Sequence, residues 1–203
     1  MPTIQSLLYN IPAILIALTI HEFSHGYTAH LLGDPTPKRQ GRLTLNPLAH
    51  LDPLGTILLL VARFGWAKPV QVNPFYFRGN KQRGMLLVSL AGPASNILLA
   101  FAAGILYYLV APQTFLSSFL AYLIIIDVYL ALFNLIPIPP LDGSNILLSM
   151  LPASTHEKFY QFQAYGSIIL MLLIVTNITG KFLTPAAEGL INFIMLAAYM
   201  ITG

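Results

Sequence analysis

The sequence has 203 residues, of which 56% are hydrophobic and 8% are charged, and its mean hydropathy is +0.72. A soluble domain carries about 25% charged residues, so this composition indicates an integral membrane protein. The net charge is +3, but the Lys and Arg residues are scattered among short loops, so we expect no nucleic-acid partner. The chain has no cysteine, which excludes disulfides, zinc thiolate sites and a cysteine nucleophile.

The long apolar runs do not alternate as the strands of a membrane β-barrel do, which predicts an all-α polytopic membrane fold. The start of the chain has no basic n-region, so we expect no cleaved signal peptide and a single membrane domain over residues 1–203. The run at 54–64 is too short to span a membrane, which indicates a short re-entrant or buried apolar segment. We predict about five transmembrane helices, at residues 4–32, 85–111, 115–136, 166–179 and 186–202.

Proline and glycine mark where these helices end or break. Gly33-Asp34-Pro35 ends the first helix, and Gly92-Pro93 interrupts the second near its start. Pro112 marks the turn before the third. The three prolines between Pro137 and Pro140 forbid a continuous helix, so we expect extended backbone after the third span.

Two histidines lie in the second half of the first predicted helix. His21 and His25 are four residues apart, so they share one helical face, with Cβ atoms about 5 to 6 Å apart, and both can reach one metal ion. Glu22 lies near the same face, where a glutamate acts as general base toward water without ligating the metal. The alternative is a pair of core histidines with a bonded glutamate. Ionisable residues in an apolar helix are costly and tend to mark functional sites, which favours a zinc centre.

A catalytic zinc ion usually has three protein ligands and one open position, so a third ligand is needed. His30 lies nine positions after His21, about 180° round the helix, and faces away. Asp142 is the better candidate, because the proline-broken backbone before it allows its carboxylate to turn inward and Gly143 permits a close approach. Asp127 is the rival. It lies well inside the third span, where we favour a hydrogen bond to another helix.

Other polar residues lie in predicted loops. His50 and Asp52 belong to a stretch with Asn-Pro and Asp-Pro dipeptides, which are turn formers, so we assign them to loop structure rather than chemistry. His156 is followed by Glu157 and Lys158, which indicates a solvated loop.

The sequence resembles the site-2 proteases, which are intramembrane zinc metalloproteases of peptidase family M50. Three motifs occur in the order found in that family and extend the resemblance over roughly residues 10 to 150, whereas the C-terminal spans over 166–203 add little to it. The motifs are His21-Glu22-x-x-His25, Gly92-Pro93-Ala94-Ser95-Asn96 and Asn134-x-x-Pro137-x-Pro139-x-x-Asp142-Gly143.

The resemblance implies one Zn²⁺ per chain, held by His21, His25 and Asp142, with Glu22 as the catalytic base. Asn96 and Asn134 would then be polar helpers near the substrate. From the residues alone, Asn96 could equally bond two helices together, and Asn134 could cap the broken helix. The chain looks like a minimal, core-only member of the family.

The expected reaction is hydrolysis of a peptide bond within or beside a transmembrane segment of a protein substrate, in the lipid bilayer of a prokaryotic cell membrane. One alternative is a membrane zinc transporter or metal-binding protein, which should show acidic or histidine residues along several spans. Another is an inactive relative that binds membrane proteins without cutting them. The presence of Glu22 favours an active enzyme.

Residues 66–77 resemble the membrane-associated β segment of the site-2 proteases. Val70 and Val72 alternate with Gln71 and Asn73 at strand period, and prolines bracket the run, as they do at exposed edges. We predict a small β element here that pairs with residues 42–46 and holds the substrate by strand addition. The alternative is an ordinary cytoplasmic loop.

The basic residues predict the orientation in the membrane. Lys38, Arg39, Arg42 and five basic residues from Arg63 to Arg83 follow the first span, so this side should be cytoplasmic, with the N-terminus outside and the active site toward the cytoplasm. A Lys81→Cys variant of the cysteine-free chain should react with an impermeant thiol reagent only from the cytoplasmic side. Labelling from the external side alone would reverse this topology.

Overall fold

The computed structural model describes residues 4–53, 55 and 67–203, and this part of the chain is mostly helical. Five of its helices are long and apolar enough to cross a membrane, so the chain is a multi-pass membrane protein and the predicted all-α fold is confirmed. In chain order the helices are α1 (Ile4–Leu31), α2 (Thr36–Arg39), α3 (Lys81–Leu109), α4 (Phe115–Asn134), α5 (Asp142–Met150), α6 (His156–Val175) and α7 (Ile178–Thr202), with 3₁₀ turns at Pro47–Ala49, Pro74–Tyr76 and Ala153–Thr155.

The second span starts earlier than predicted and is not interrupted. α3 begins at Lys81, because the side chain of Asn80 accepts a hydrogen bond from the Arg83 N–H and caps the helix. The helix continues through Gly92-Pro93. A proline is tolerated in a membrane helix when neighbouring groups satisfy the backbone it frees, so the predicted break at this position is wrong.

The last two spans are also longer than predicted, since hydropathy marks only the apolar part of a helix. α6 starts at His156 and α7 at Ile178, and Pro185 lies within α7. Between α4 and α5 the chain forms turns rather than the predicted extended backbone, and the short helix α5 was not predicted.

Three helices form the core of the bundle. α1, α3 and α4 pack against one another, α7 packs against α3 and α4, and α5 packs against α3. Small residues occupy the contacts, and Ala13, Ala100 and Ala103 are almost completely buried. Small side chains let membrane helices approach closely, which brings the histidine face of α1 against α3.

The predicted small β element is reduced to one bridge. In the described ranges, Leu51 and Ala67 form an isolated antiparallel bridge, and no ladder joins residues 42–46 to the run at 69–73. Two backbone donors of this run are bonded to side-chain carboxylates instead. Val70 N–H donates to Glu22 at 2.9 Å and Asn73 N–H to Asp34 at 2.7 Å.

The prediction of an exposed strand at residues 66–77 also concerned which side chains are buried. Val70 and Val72 are half-buried and Gln71 is exposed, whereas Asn73 is half-buried like the two valines, so the alternation holds for only three of the four residues. Gln71 accepts a hydrogen bond from the Gln40 side chain at 2.7 Å. Trp66 and, apart from Gly55, the predicted re-entrant segment at 54–64 lie outside the described residues.

Candidate metal centre

Three side chains converge where α1 meets the start of α5. His21 and His25 lie one turn apart on α1 and are buried, and Asp142 is the first residue of α5. The two Nε2 atoms are 3.0 Å apart. Asp142 Oδ2 lies 3.1 Å from His21 Nε2 and 3.2 Å from His25 Nε2. These residues could hold a metal ion, and in the part of the chain that the structure describes they are the group of three with this property.

Hydrogen bonds to Nδ1 of each ring determine which ring nitrogen is free to bind a metal. His25 Nδ1 lies 2.7 Å from the carbonyl oxygen of Val88, which can only accept, so Nδ1 carries the proton. His21 Nδ1 lies 2.6 Å from Asn96 Oδ1 and donates to it in the same way. In its neutral form each imidazole therefore turns the lone pair of Nε2 toward Asp142, as a metal ligand requires.

The donor set fits a zinc ion. Two nitrogen lone pairs and a carboxylate oxygen repel one another unless a positive charge lies between them. Zinc binds nitrogen and oxygen at about 2.0 to 2.2 Å, so two tetrahedral ligands lie about 3.3 Å apart. The three observed separations, 3.0 to 3.2 Å, are close to this ligand–ligand distance, so the three atoms are placed like the corners of one face of such a tetrahedron.

Asp142 offers a carboxylate oxygen to this group of three side chains. The backbone next to it is tightly packed, because a Cβ at Gly143 would collide with the carbonyl oxygens of Leu135 and Ile136. Only glycine allows α5 to begin this close to the end of α4.

Glu22 is near this cluster but is not among the three converging side chains. Its Oε2 accepts the hydrogen bond from Val70 N–H, which holds the carboxylate against the run at 69–73. Glu22 also lines the same cavity as both histidines and Asp142. A carboxylate in this position can exchange protons with a water in the cavity while the other three side chains hold a metal.

The cavity has a volume of about 300 Å³. Its walls combine the ionisable residues with a side formed by Val70 and Val72 and with three uncharged polar residues. Besides the four ionisable residues it is lined by Pro69, Val70, Val72, Met85, Val88, Ser89, Asn134, Pro140 and Asn145.

Ser89 and Asn145 belong to the cavity but were absent from the sequence-based candidates. Asn145 lies three residues after Asp142, on the same helical face, and would have been found had α5 been predicted. Ser89 lies seven residues before Asn96, two turns along α3, where helical periodicity places both on one face.

Asn96 and Asp127 lie behind the histidines rather than in the cavity. Both are 0% exposed, and Asn96 Nδ2 donates to Asp127 Oδ1 at 2.5 Å. The hydrogen bond predicted for Asp127 to another helix is therefore confirmed. Asn134, which lines the cavity, donates Nδ2 to Leu130 O at 2.9 Å within its own helix.

The remaining polar candidates belong to local structure. His50 is buried and its Nε2 donates to Thr44 O at 2.9 Å, and Asp52 Oδ1 accepts from Gly55 N–H at 2.8 Å, as loop-forming residues do. His156 is not in a solvated loop, because it is half-buried and begins α6. His30 is not part of the cluster of converging side chains.

Gly92 leaves the space that the imidazoles occupy. A Cβ there would lie 2.6 Å from His25 Cε1 and 2.7 Å from His21 Cε1. We therefore expect Gly92→Ala to lower zinc affinity, measured by competition with a chelator. Overpacking costs about 1–3 kcal/mol, equivalent to about 5- to 150-fold if the whole cost falls on the imidazoles.

Gly104→Ala is the matched control on the same helix. Its Cβ would meet Ile194 Cγ2 at 3.3 Å and Ala198 Cβ at 3.4 Å, far from the metal centre. This variant should keep the parent zinc affinity. Equal affinities for the two variants would show that the imidazoles do not depend on the space at Gly92.

Comparison with known proteins identifies the family of this chain. Residues 109–178 match the profile of the family described as Peptidase family M50. The zinc metalloprotease YwhC, so named in Bacillus subtilis (strain 168), is 43% identical over 186 residues, covering 87% of this chain and 84% of the relative. The zinc metalloprotease Rip2, so named in Mycolicibacterium smegmatis, is 30% identical over 194 residues, covering 93% and 74%. No solved structure shows a significant match. The resemblance predicted from the three motifs is confirmed, and the chain belongs to peptidase family M50, a family of zinc metalloproteases.

Proposed function

We propose that this zinc metalloprotease cleaves other membrane proteins within or next to their transmembrane segments, using one Zn²⁺ per chain held by His21, His25 and Asp142. The convergence of these three side chains inside an apolar helix bundle carries the proposal. A site inside the bundle is within reach of a peptide bond that is itself embedded in the bilayer, whereas soluble substrates would have to enter the membrane.

The chemistry divides between the metal and Glu22. When bound, zinc acts as a Lewis acid on the scissile carbonyl and lowers the pKa of water to about 7. Glu22 accepts the proton of the attacking water and returns it to the leaving amine. The Val70 N–H holds the Glu22 carboxylate at the cavity wall, so the base is positioned before a substrate arrives.

The cavity can hold an extended peptide. Val70 and Val72 face it, and the main chain of this run lies beside the metal centre. Ser89, Asn134 and Asn145 offer polar groups to the peptide bonds that a substrate exposes when its helix unwinds. Contacts to the main chain place little demand on substrate sequence.

The positions of the basic residues support a cytoplasmic active site. Eight of the ten Lys and Arg residues lie between Lys38 and Arg83, in the sequence between α1 and α3 or in the first turn of α3, and Lys158 lies in the first turn of α6. Short cytoplasmic loops are enriched in these residues. The N-terminus of α1 then lies outside.

A zinc transporter fits the distribution of ionisable residues less well. A transport path needs such groups along several spans. In the described spans His21, Glu22 and His25 lie together on α1, whereas Asp127, which is bonded to Asn96, and Glu188 are isolated acidic residues on α4 and α7. Zinc flux into proteoliposomes would support transport. Flux equal to that of empty liposomes is expected.

Glu22→Gln should separate metal binding from hydrolysis. The amide cannot accept a proton, so cleavage of a transmembrane substrate should fall by about 10²- to 10⁴-fold. The zinc content should remain at one ion per chain, because the three proposed ligands are intact. Metal analysis and a cleavage assay on the same preparation measure both.

The matched variant is His21→Ala, which should lose most of its zinc along with activity. Full cleavage by Glu22→Gln would show that Glu22 is not the general base. Full zinc content in His21→Ala would remove His21 from the ligand set.

Gln71→Pro tests the proposed substrate clamp. Proline deletes the backbone N–H and fixes φ, so strand addition along 70–72 should weaken and cleavage should fall sharply at unchanged zinc content. Gln71→Ala is the control, because it removes the side-chain bond to Gln40 and keeps the backbone donor. Normal cleavage of a helical substrate by Gln71→Pro would exclude this run as the clamp.

A further inference from the structure

A chain of hydrogen-bonded side chains runs from the metal centre into the core of the bundle. Asp127 on α4 accepts from Asn96 Nδ2 on α3 at 2.5 Å, and Asn96 Oδ1 accepts from His21 Nδ1 on α1 at 2.6 Å. Asn96 and Asp127 are 0% exposed. They do not line the cavity, and the hydrogen bond from His21 to Asn96 connects them to the metal centre.

Two acceptors fix the orientation of the Asn96 amide. Its NH₂ group donates to Ala17 O at 3.1 Å as well as to Asp127 Oδ1. A 180° rotation of the amide would place its carbonyl oxygen against both of these oxygens and leave a donor facing His21. The Asp127 carboxylate is the one of these two acceptors that a substitution can remove, since the other is a backbone carbonyl.

The orientation of the amide determines the tautomer of His21. With Oδ1 facing the ring, Nδ1 carries the proton and the Nε2 lone pair is available to a metal. With NH₂ facing the ring, Nδ1 would have to accept, and the neutral imidazole would carry its proton on Nε2. That proton would have to be lost before the metal could bind.

The hydrogen bond from Asn96 explains why a polar residue lies at position 127. Among the described residues its other oxygen, Oδ2, is buried without a hydrogen-bond partner. Burying such a group inside a membrane helix is costly, and an apolar side chain would pack there at lower cost. A role in positioning His21 explains why an acceptor is present.

We propose that Asp127 is a positioning residue that, through Asn96, holds His21 in the tautomer that binds the metal. This inference rests on the proposed metal site at His21. It assigns Asp127 the function that the outer hydrogen-bond partner of a metal-bound histidine has in other zinc sites.

The test compares Asp127→Leu with Asp127→Asn in the full-length protein in detergent. Leu removes the acceptor, so zinc affinity measured by chelator competition should fall by about 10- to 100-fold. Asn keeps an oxygen that can accept from Asn96 Nδ2, so this variant should retain the parent affinity. An equal loss in both variants would overturn the proposal.

Thr19→Val is the matched control for loss of a buried polar group. Thr19 lies on α1, and its hydroxyl donates within its own helix, to Leu15 O at 2.6 Å. The zinc affinity of Thr19→Val should therefore equal the parent value. Asp127→Val repeats the Leu test with a smaller side chain. Parent affinity in both apolar variants would overturn the proposal, and so would an equal loss in Thr19→Val.

The ¹⁵N NMR spectrum of histidine-labelled, zinc-free protein gives a readout that stability alone would not change, because no metal then determines the tautomer of His21. The His21 Nδ1–H resonance, assigned by its disappearance in His21→Ala, should persist in Asp127→Asn and be lost or shifted in Asp127→Leu. An unchanged resonance in Asp127→Leu would overturn the inference. Retention of zinc by His21→Ala would instead reject the proposed metal site, so the two failures can be told apart.

Discussion

The metal centre depends on the repulsion among three electron-rich atoms held together in an apolar bundle. His21 Nε2, His25 Nε2 and Asp142 Oδ2 lie within 3.2 Å of one another, in surroundings that screen them less than bulk water would. A cation between them turns repulsion into attraction. Binding of the metal and docking of α5 against α1 and α3 are therefore favourable together, and removal of the metal should loosen the same contact.

Glycine and alanine residues around the metal centre leave the space that keeps these atoms in place. Gly92 lacks the Cβ that would collide with both imidazoles, and Gly143 lacks the one that would collide with the end of α4. Alanines between α1 and α3 bring the backbones close enough for Val88 O and Asn96 to reach the far side of the rings. Each imidazole is thus held on both sides, and little freedom is lost when a metal binds.

The sequence predicted best those features that depend on residues close together along the chain. His21, Glu22 and His25 were found from helical spacing alone, and the five spans were found from hydropathy. Asp142 could be proposed but not selected with certainty over Asp127, because their distances from α1 depend on how α4 and α5 fold back. Gly92-Pro93 was misjudged because a membrane helix can continue through a proline, and the sequence pattern alone does not reveal when it does.

The hydrogen bond between Glu22 and Val70 N–H has a thermodynamic consequence. A carboxylate on a rigid membrane helix and a backbone donor on an irregular run share one bond, so the free energies of the two positions are linked. Linkage is reciprocal: whatever displaces the run also releases the Glu22 carboxylate, and a movement of the carboxylate alters how firmly the run is held. Occupation of the cavity wall and the position of the Glu22 carboxylate are thus a single equilibrium rather than two independent ones.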